Sequence, residues 1–447
     1  MAETDFLLAI AGNAVRKILI PDARSVLNQN DSQVLNDLAF YIDVNTASSL
    51  GSTRVDTGGN LRMRDIMESM EKDILMDANG NYCELNPNDC RYTAEGEAII
   101  DFTTGAILSK WAHCDIMRYI PQRYGRIQMV QAGSVSRPRL WLSPVPLPKG
   151  FIIPALVVGK FKASIVSGAM RSLPNYVPDN TKTINAFWNQ AQVRSNNHGL
   201  AGGDFRNHLL WHMMGKYGWR DCQNCKGSDN TLIWGVGLDG TESTASGESV
   251  SDVGFTRQKN IKTGATLSLG KFDGKVTVTD SIGNTCHSVN VDGFENPWGQ
   301  YSEMIQGLCS VGSDVFFWRG NVMPTGTPTA ATFSNIDHVL LQRPTSAVWG
   351  MNIVANAEGQ GCYMIPKEAI SGISYGDSYS SAETGQLWLF SGDSNLGSYC
   401  GLAFSRSGAA WSDSYAAWSF SASSVSARLA YYGDVHKVTP QQLAVVA

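Results

Sequence analysis

The chain has 447 residues, 43% hydrophobic and only 17% charged, so it is long enough for two or three domains and apolar enough to bury real cores. A net charge of −5 argues against a surface built to neutralise phosphates, and so against nucleic acid as a partner. No apolar run is long enough to span a bilayer. The short stretch Phe6 to Ala11 follows Glu3 and Asp5 rather than a basic leader, so neither a signal peptide nor membrane insertion is expected.

In chain order, Lys17 to Ile20 reads as a strand ended by Pro21. Met63, Ile66, Met67, Met70, Ile74 and Leu75 recur at helical spacing, which predicts a helix over 61–76 within a separate N-terminal module, residues 1–105. That module is expected to dock or to oligomerise. From about 106 to 447 the texture changes to short strands rich in Gly and Trp. Phe151 to Val158 reads as one strand. Thr183 to Arg194 and Asp204 to Lys216 are the best helix candidates; in the second, Asp204 is expected to cap the first turn, Leu209, Leu210, Met213 and Met214 share a side, and Gly218 ends it. Further on, Leu238-Asp239-Gly240 and Phe272-Asp273-Gly274 are turn signals, Thr241 to Ser251 reads as a loop, and Lys275 to Asp280 alternates as a strand.

Candidate chemistry is sparse. Cys222 and Cys225 form a CxxC, half of a tetrahedral zinc site with no second pair at matching distance. His208 and His212 lie four apart on one helix face, as metal ligands would, yet no third ligand is evident. There is no HExxH, no phosphate loop and no G-x-S-x-G elbow. No catalytic residue, metal or cofactor is therefore expected, and the chain reads as a binding protein rather than an enzyme.

One stretch differs from the rest. Lys, Glu, Gln and Met together number 58 in the chain, yet none occurs among the fifty residues Leu387 to His436, where about six would be expected. Adenine-directed replacement of Asn codons of the AAY type yields Ser, Gly, Ala, Asp, Tyr, Cys and Arg, and never Lys, Glu, Gln, Met or Trp. Ser391 to Gly433 carries those outcomes between apolar residues such as Leu402, Phe404, Trp411, Trp418 and Phe420.

In its anchors Gly397-Ser398, Cys400-Gly401-Leu402, Ala403-Phe404, Trp411-Ser412 and Ala427-Arg428-Leu429-Ala430, this stretch resembles the variable regions of diversity-generating retroelement target proteins. Gly293-Phe294-Glu295-Asn296-Pro297-Trp298-Gly299 is similar to the Gly-x-Glu-x-x-x-Gly turn of the formylglycine-generating-enzyme-like branch of C-type-lectin-like folds. Leu200 to Gly218 sits where that branch has its second helix, and Tyr119-Ile120-Pro121 with Phe151 to Phe161 is similar to a phage tail motif preceding such a domain. The resemblance spans about residues 110 to 435. It implies an α+β fold in which a C-type-lectin-like domain follows a small N-terminal module.

It also implies a phage receptor-binding protein of the tail tip or fibre, carried in the virion. Its partners would be a host surface protein or glycan and other tail proteins, and it would act as a homotrimer. Ligand contact would fall to Gly392, Asp393, Asn395, Tyr399, Ser405, Arg406, Ser407, Gly408, Ala409, Asp413, Tyr415 and Ala417, within a variable region of about 391–424. Two alternatives accompany this reading. One is a surface-displayed bacterial binding protein with the same domain. The other is a formylglycine-generating-like oxidase, which would need a close thiol pair, whereas only Cys400 lies near the C-terminus.

Overall fold

The computed structural model describes residues 31–43, 54–132, 135–219, 222, 225–234, 261–279, 285–312, 314–342 and 425–444, with short pieces at 353–354, 365–366, 379–381, 387–390, 405–407, 418–419 and 421. The expected strand at Lys17, the turn at Leu238 and the Thr241 to Ser251 loop lie outside these residues. Within them the fold is mixed α+β, mostly strands, with five α-helices: α1 Asp31–Leu38, α2 Leu61–Met70, α3 Ile184–Gln192, α4 Gly203–Tyr217 and α5 Pro440–Ala444. Among the described residues no helix is long and apolar enough to cross a membrane.

The helix expected over 61–76 is shorter than its spacing predicts. Asn60 accepts from the Arg62 amide and starts α2, whose Met63 and Met67 turn inward. The helix stops at Met70, and Lys72–Met76 is a strand whose last four residues are buried. A strand covered on both faces shows no alternation, so its apolar run reads as helix until its neighbours are known.

Those neighbours come from both ends of the chain. One sheet runs in the order His198–Leu200, Leu429–Tyr431, Leu156–Gly159, Asp115–Ile120, Lys72–Met76, Asn81–Asn86 and His436–Lys437. The sheet therefore takes strands from either side of residue 105. A five-stranded sheet contains Arg123–Ala132 and Val135–Ser143 at its centre. The single strand expected over 151–158 is two, Phe151–Ile153 and Leu156–Gly159, and they serve different sheets. Pro154 has no amide to give to a ladder, and the chain changes sheets there.

Both main helices form where expected. Thr183 caps α3 by accepting from the Ala186 amide, and Ile184, Phe187 and Ala191 pack toward the large sheet. In α4, Leu209, Leu210, Met213 and Met214 are buried, and Gly218 ends the helix at φ 66° with its amide on the Met214 carbonyl. Asp204 does not cap α4. Gly202 holds that position, and Asp204, within the first turn, takes a two-pronged bond from Arg319 at 2.6 and 3.0 Å. The strand read over Lys275 to Asp280 is present as Gly274–Thr279, and it forms a hairpin with Thr285–Val291.

Candidate functional site

Two strands of one sheet frame residues 391–424. Ser302–Val311 is the central strand of a seven-stranded sheet, and its start is flanked on both sides. Leu387–Phe390 runs antiparallel to it, with Phe390 opposite Glu303; Val425–Ala427 runs parallel to it, with Val425 opposite Ser302. Met304 pairs with both Leu389 and Ala427, so the two strands lie on opposite sides of it. The strands that precede and follow residues 391–424 are thus two strand spacings apart, about 10 Å.

Each stem is fixed by burial. Leu387, Trp388, Leu389 and Phe390 are all buried, and the Trp388 indole donates to Ser310 Oγ at 2.6 Å. On the return side Val425, Ala427, Leu429 and Ala430 are buried, as is Trp418. Between them Arg428 is fully buried. It donates to Glu303 at 2.8 Å and to the carbonyls of Lys160 (2.7 Å), Glu295 (2.5 Å) and Asn296 (3.1 Å). One guanidinium therefore ties the return stem to the Gly293–Gly299 turn and to the strand ending at Gly159.

Of the twelve contact residues expected from sequence, Ser405, Arg406 and Ser407 form a strand that pairs with Leu387–Phe390 on one side and Tyr379–Ser381 on the other. Gly392, Asp393, Asn395, Tyr399, Gly408, Ala409, Asp413, Tyr415 and Ala417 lie outside the described residues.

Beneath this frame is a buried charge network that the sequence reading met only through its two histidines. α4 carries His208 and His212 on the face turned toward Asp292 and Asp273. His208 Nε2 donates to Asp292 Oδ2 at 2.5 Å, and its Nδ1 accepts from Arg123 at 2.9 Å. A ring that must accept on one nitrogen is neutral, and burial together with Arg123 lowers its pKa to about 4. His212 is the opposite case. Its Nε2 lies 2.8 Å from Asp273 Oδ2 and its Nδ1 lies 3.7 Å from Asp292 Oδ1. Burial alone would lower its pKa, but the two carboxylates overcome it and raise it to about 9.

Arg118, also fully buried, spans Glu71 at 2.7 Å and Asp292 at 2.6 Å, with Asp73 at 3.6 Å; Arg123 bonds the other oxygen of Glu71. Burial and the nearby Asp292 raise the Glu71 pKa to about 7 against the pull of the two arginines. Lys216 and Tyr217 complete the shell on Asp273 at 3.0 and 2.6 Å. Gly293 is required beside this cluster: φ is +80°, and a Cβ there would stand 2.8 Å from the Arg118 side chain.

Glu71, His208 and Asp292 bring three ligand atoms within 4.8 Å of one another, which is metal-site spacing. The donor set does not fit a metal. Both oxygens of each carboxylate are already engaged by Arg118, Arg123 or His208, and a cation would have to enter against two guanidinium groups. The adjoining cavity is about 30 Å³, room for one water and not for an organic substrate. The network reads as a clamp joining α4, the strands at Lys72 and Asp115, and the hairpin that ends at Val291.

Its titration gives a pH prediction. Raising the folded pKa of His212 above the unfolded value of about 6.5 gives stability that is complete below that pH and lost through about 9. Lowering that of His208 to about 4 gives stability that is lost as pH falls from about 6.5. The raised Glu71 pKa removes stability as pH rises between about 4.5 and 7 and offsets the His208 limb there, so urea unfolding should show a plateau on the acid side of neutral that falls above about pH 6.5. A decline on the order of 3 kcal/mol between about pH 7 and 9 should be removed by His212→Gln. An unchanged alkaline limb in that variant would assign the decline elsewhere.

A larger cleft of about 680 Å³ lies between the N-terminus of α4, the Leu156–Gly159 strand and Tyr431 to His436. Its polar groups satisfy one another: Asp204 holds Arg319, Gln306 accepts from the Leu200 amide and donates to the Gly320 carbonyl, and the Tyr432 hydroxyl donates to the Leu200 carbonyl. No family model matches this chain, and no curated protein matches it either.

Proposed function

We propose that the chain is a receptor-binding protein of the diversity-generating retroelement type, a C-type-lectin-like frame that carries the exchangeable segment 391–424 to a host-surface protein or glycan. The observation that carries this reading is the pair of buried stems at Phe390 and Val425, which flank one strand and hold the segment at both ends. Stems fixed by Arg428 and by buried apolar side chains let residues between them, apart from the Ser405–Ser407 strand and buried Trp418, change without disturbing the core. Composition agrees: fifty residues lack every amino acid that adenine-directed mutation of Asn codons cannot reach, except for the tryptophans of the framework.

In that role the protein belongs to the tail tip or fibre of a virion, and several copies on one particle add avidity to a weak single site. Replacing Asp393, Tyr399, Arg406 and Tyr415 together with Ala is expected to weaken binding to target cells by at least about 2 kcal/mol, roughly thirtyfold, with urea stability within about 0.5 kcal/mol of the parent. Retained binding would point to a structural component of the particle instead.

A further inference from the structure

The hairpin turn between the strands Lys72–Met76 and Asn81–Asn86 carries the one Asn-Gly pair in the chain, Asn79-Gly80. It is built around Asp77, whose Oδ1 accepts from the amides of Asn79 and Asn81 at 2.8 and 2.9 Å and whose Oδ2 accepts from the Asn81 side chain at 2.9 Å. Glycine is required at 80: φ is +87°, and a Cβ there would stand 2.5 Å from the Asp434 carbonyl. No such demand falls on the Asn79 side chain. It is exposed and, among the described residues, makes no hydrogen bond.

That pair is chemically reactive. The Gly80 nitrogen has no side chain beside it to hinder attack on the Asn79 amide carbon, and its N–H is held by the Asp77 carbonyl at 3.4 Å, longer than an ordinary amide hydrogen bond. In the attack the bond from the Gly80 nitrogen to Asn79 Cγ forms and the bond from Cγ to Nδ2 breaks. Ammonia leaves, taking the proton from the Gly80 nitrogen. Water then opens the five-membered imide. Opening at Cγ leaves an ordinary aspartate; opening at the Asn79 main-chain carbonyl leaves an aspartate linked through its side chain, with one more methylene in the main chain.

The C-terminal strap hangs on this turn. The His436 amide donates to the Gly80 carbonyl at 2.9 Å, the Tyr431 hydroxyl donates to the Asn79 carbonyl at 3.1 Å, and His436–Lys437 runs parallel to Asn81 and Tyr82. An added methylene shifts the Gly80 carbonyl from the His436 amide while Asp77 still holds Asn81, and the new carboxylate adds a second negative charge to the turn. We infer that Asn79-Gly80 is a self-modifying site, at which the folded chain reacts with water alone and loosens its own strap at residues 434–438. This inference does not rest on the receptor-binding reading, and either can fail alone.

Peptide mapping of the full chain, after storage in neutral and in mildly alkaline buffer, tests it. Mass shift and labelling by an isoaspartyl methyltransferase should show Asn79 converting before any other asparagine. Conversion should be faster in the alkaline arm, because the attacking nitrogen must lose its proton. Asn79→Ser should abolish the label there and leave the melting temperature in place, since the side chain it removes bonds nothing. In the converted fraction the amides of His436 and Val438, now held by the Gly80 and Tyr82 carbonyls, should exchange hydrogen at least about tenfold faster than in fresh protein. An Asn79 that stays intact while other asparagines convert, or a converted chain in which those two amides exchange as before, would overturn the proposal.

Discussion

Arg118→Ala is expected to cost about 3–5 kcal/mol of folding stability, read from urea unfolding. The guanidinium is fully buried and bonds Glu71 and Asp292, with Asp73 close by. Deleting it leaves three carboxylates in a dry interior without their shared counter-charge, and that uncompensated burial dominates over the loss of any single bond. Both short bonds leave one nitrogen, Nη2, while Nη1 lies 3.6 Å from Asp73, so Arg118→Lys should recover part of the loss. A loss under about 1 kcal/mol would mean that water reaches the cluster and that it is no clamp.

Arg428→Ala is expected to be as severe, about 3–5 kcal/mol, and it should also reduce target binding. Removing the side chain strands Glu303 and the Glu295 carbonyl, while the Lys160 and Asn296 carbonyls keep only the Glu295 amide and Lys162 as donors; Lys162, at 3.5 Å from Glu303, is itself committed to the carbonyls of Asn296 and Gly299. The Val425–Ala427 stem that follows residues 391–424 then loses its tie to the Gly293–Gly299 turn. Arg428→Met keeps much of the volume, so it separates packing from charge. If it behaves like Ala, the hydrogen bonds carry the effect.

What could be read from the chain alone follows from the range of the interactions. α4 was legible because capping glycine, apolar spacing and length are all local, and the same holds for the hairpin at Lys275. The strand at Lys72 was not, because burial on both faces erases its period. Asp204 was misread as a cap because its partner, Arg319, is 115 residues away. His208 and His212 stood out by spacing, but the acids that decide their charge come from the Asp273 and Asp292 turns. The network itself joins Glu71 to Arg118 over 47 residues and Arg118 to Asp292 over 174, pairings that no local pattern encodes. For the candidate binding segment, sequence supplied the composition and the anchors. The structure added what holds its ends: Ala427 to Ala430 are buried, and Phe390 and Val425 flank one strand.

The most direct measurement exchanges residues 391–424 between sister variants of this protein and follows both target choice and melting temperature. If rigid stems carry a replaceable surface, binding follows the transplanted residues and the melting temperature stays within about 2 °C of the recipient. Binding that stays with the recipient, or a hybrid that no longer folds, would contradict the account.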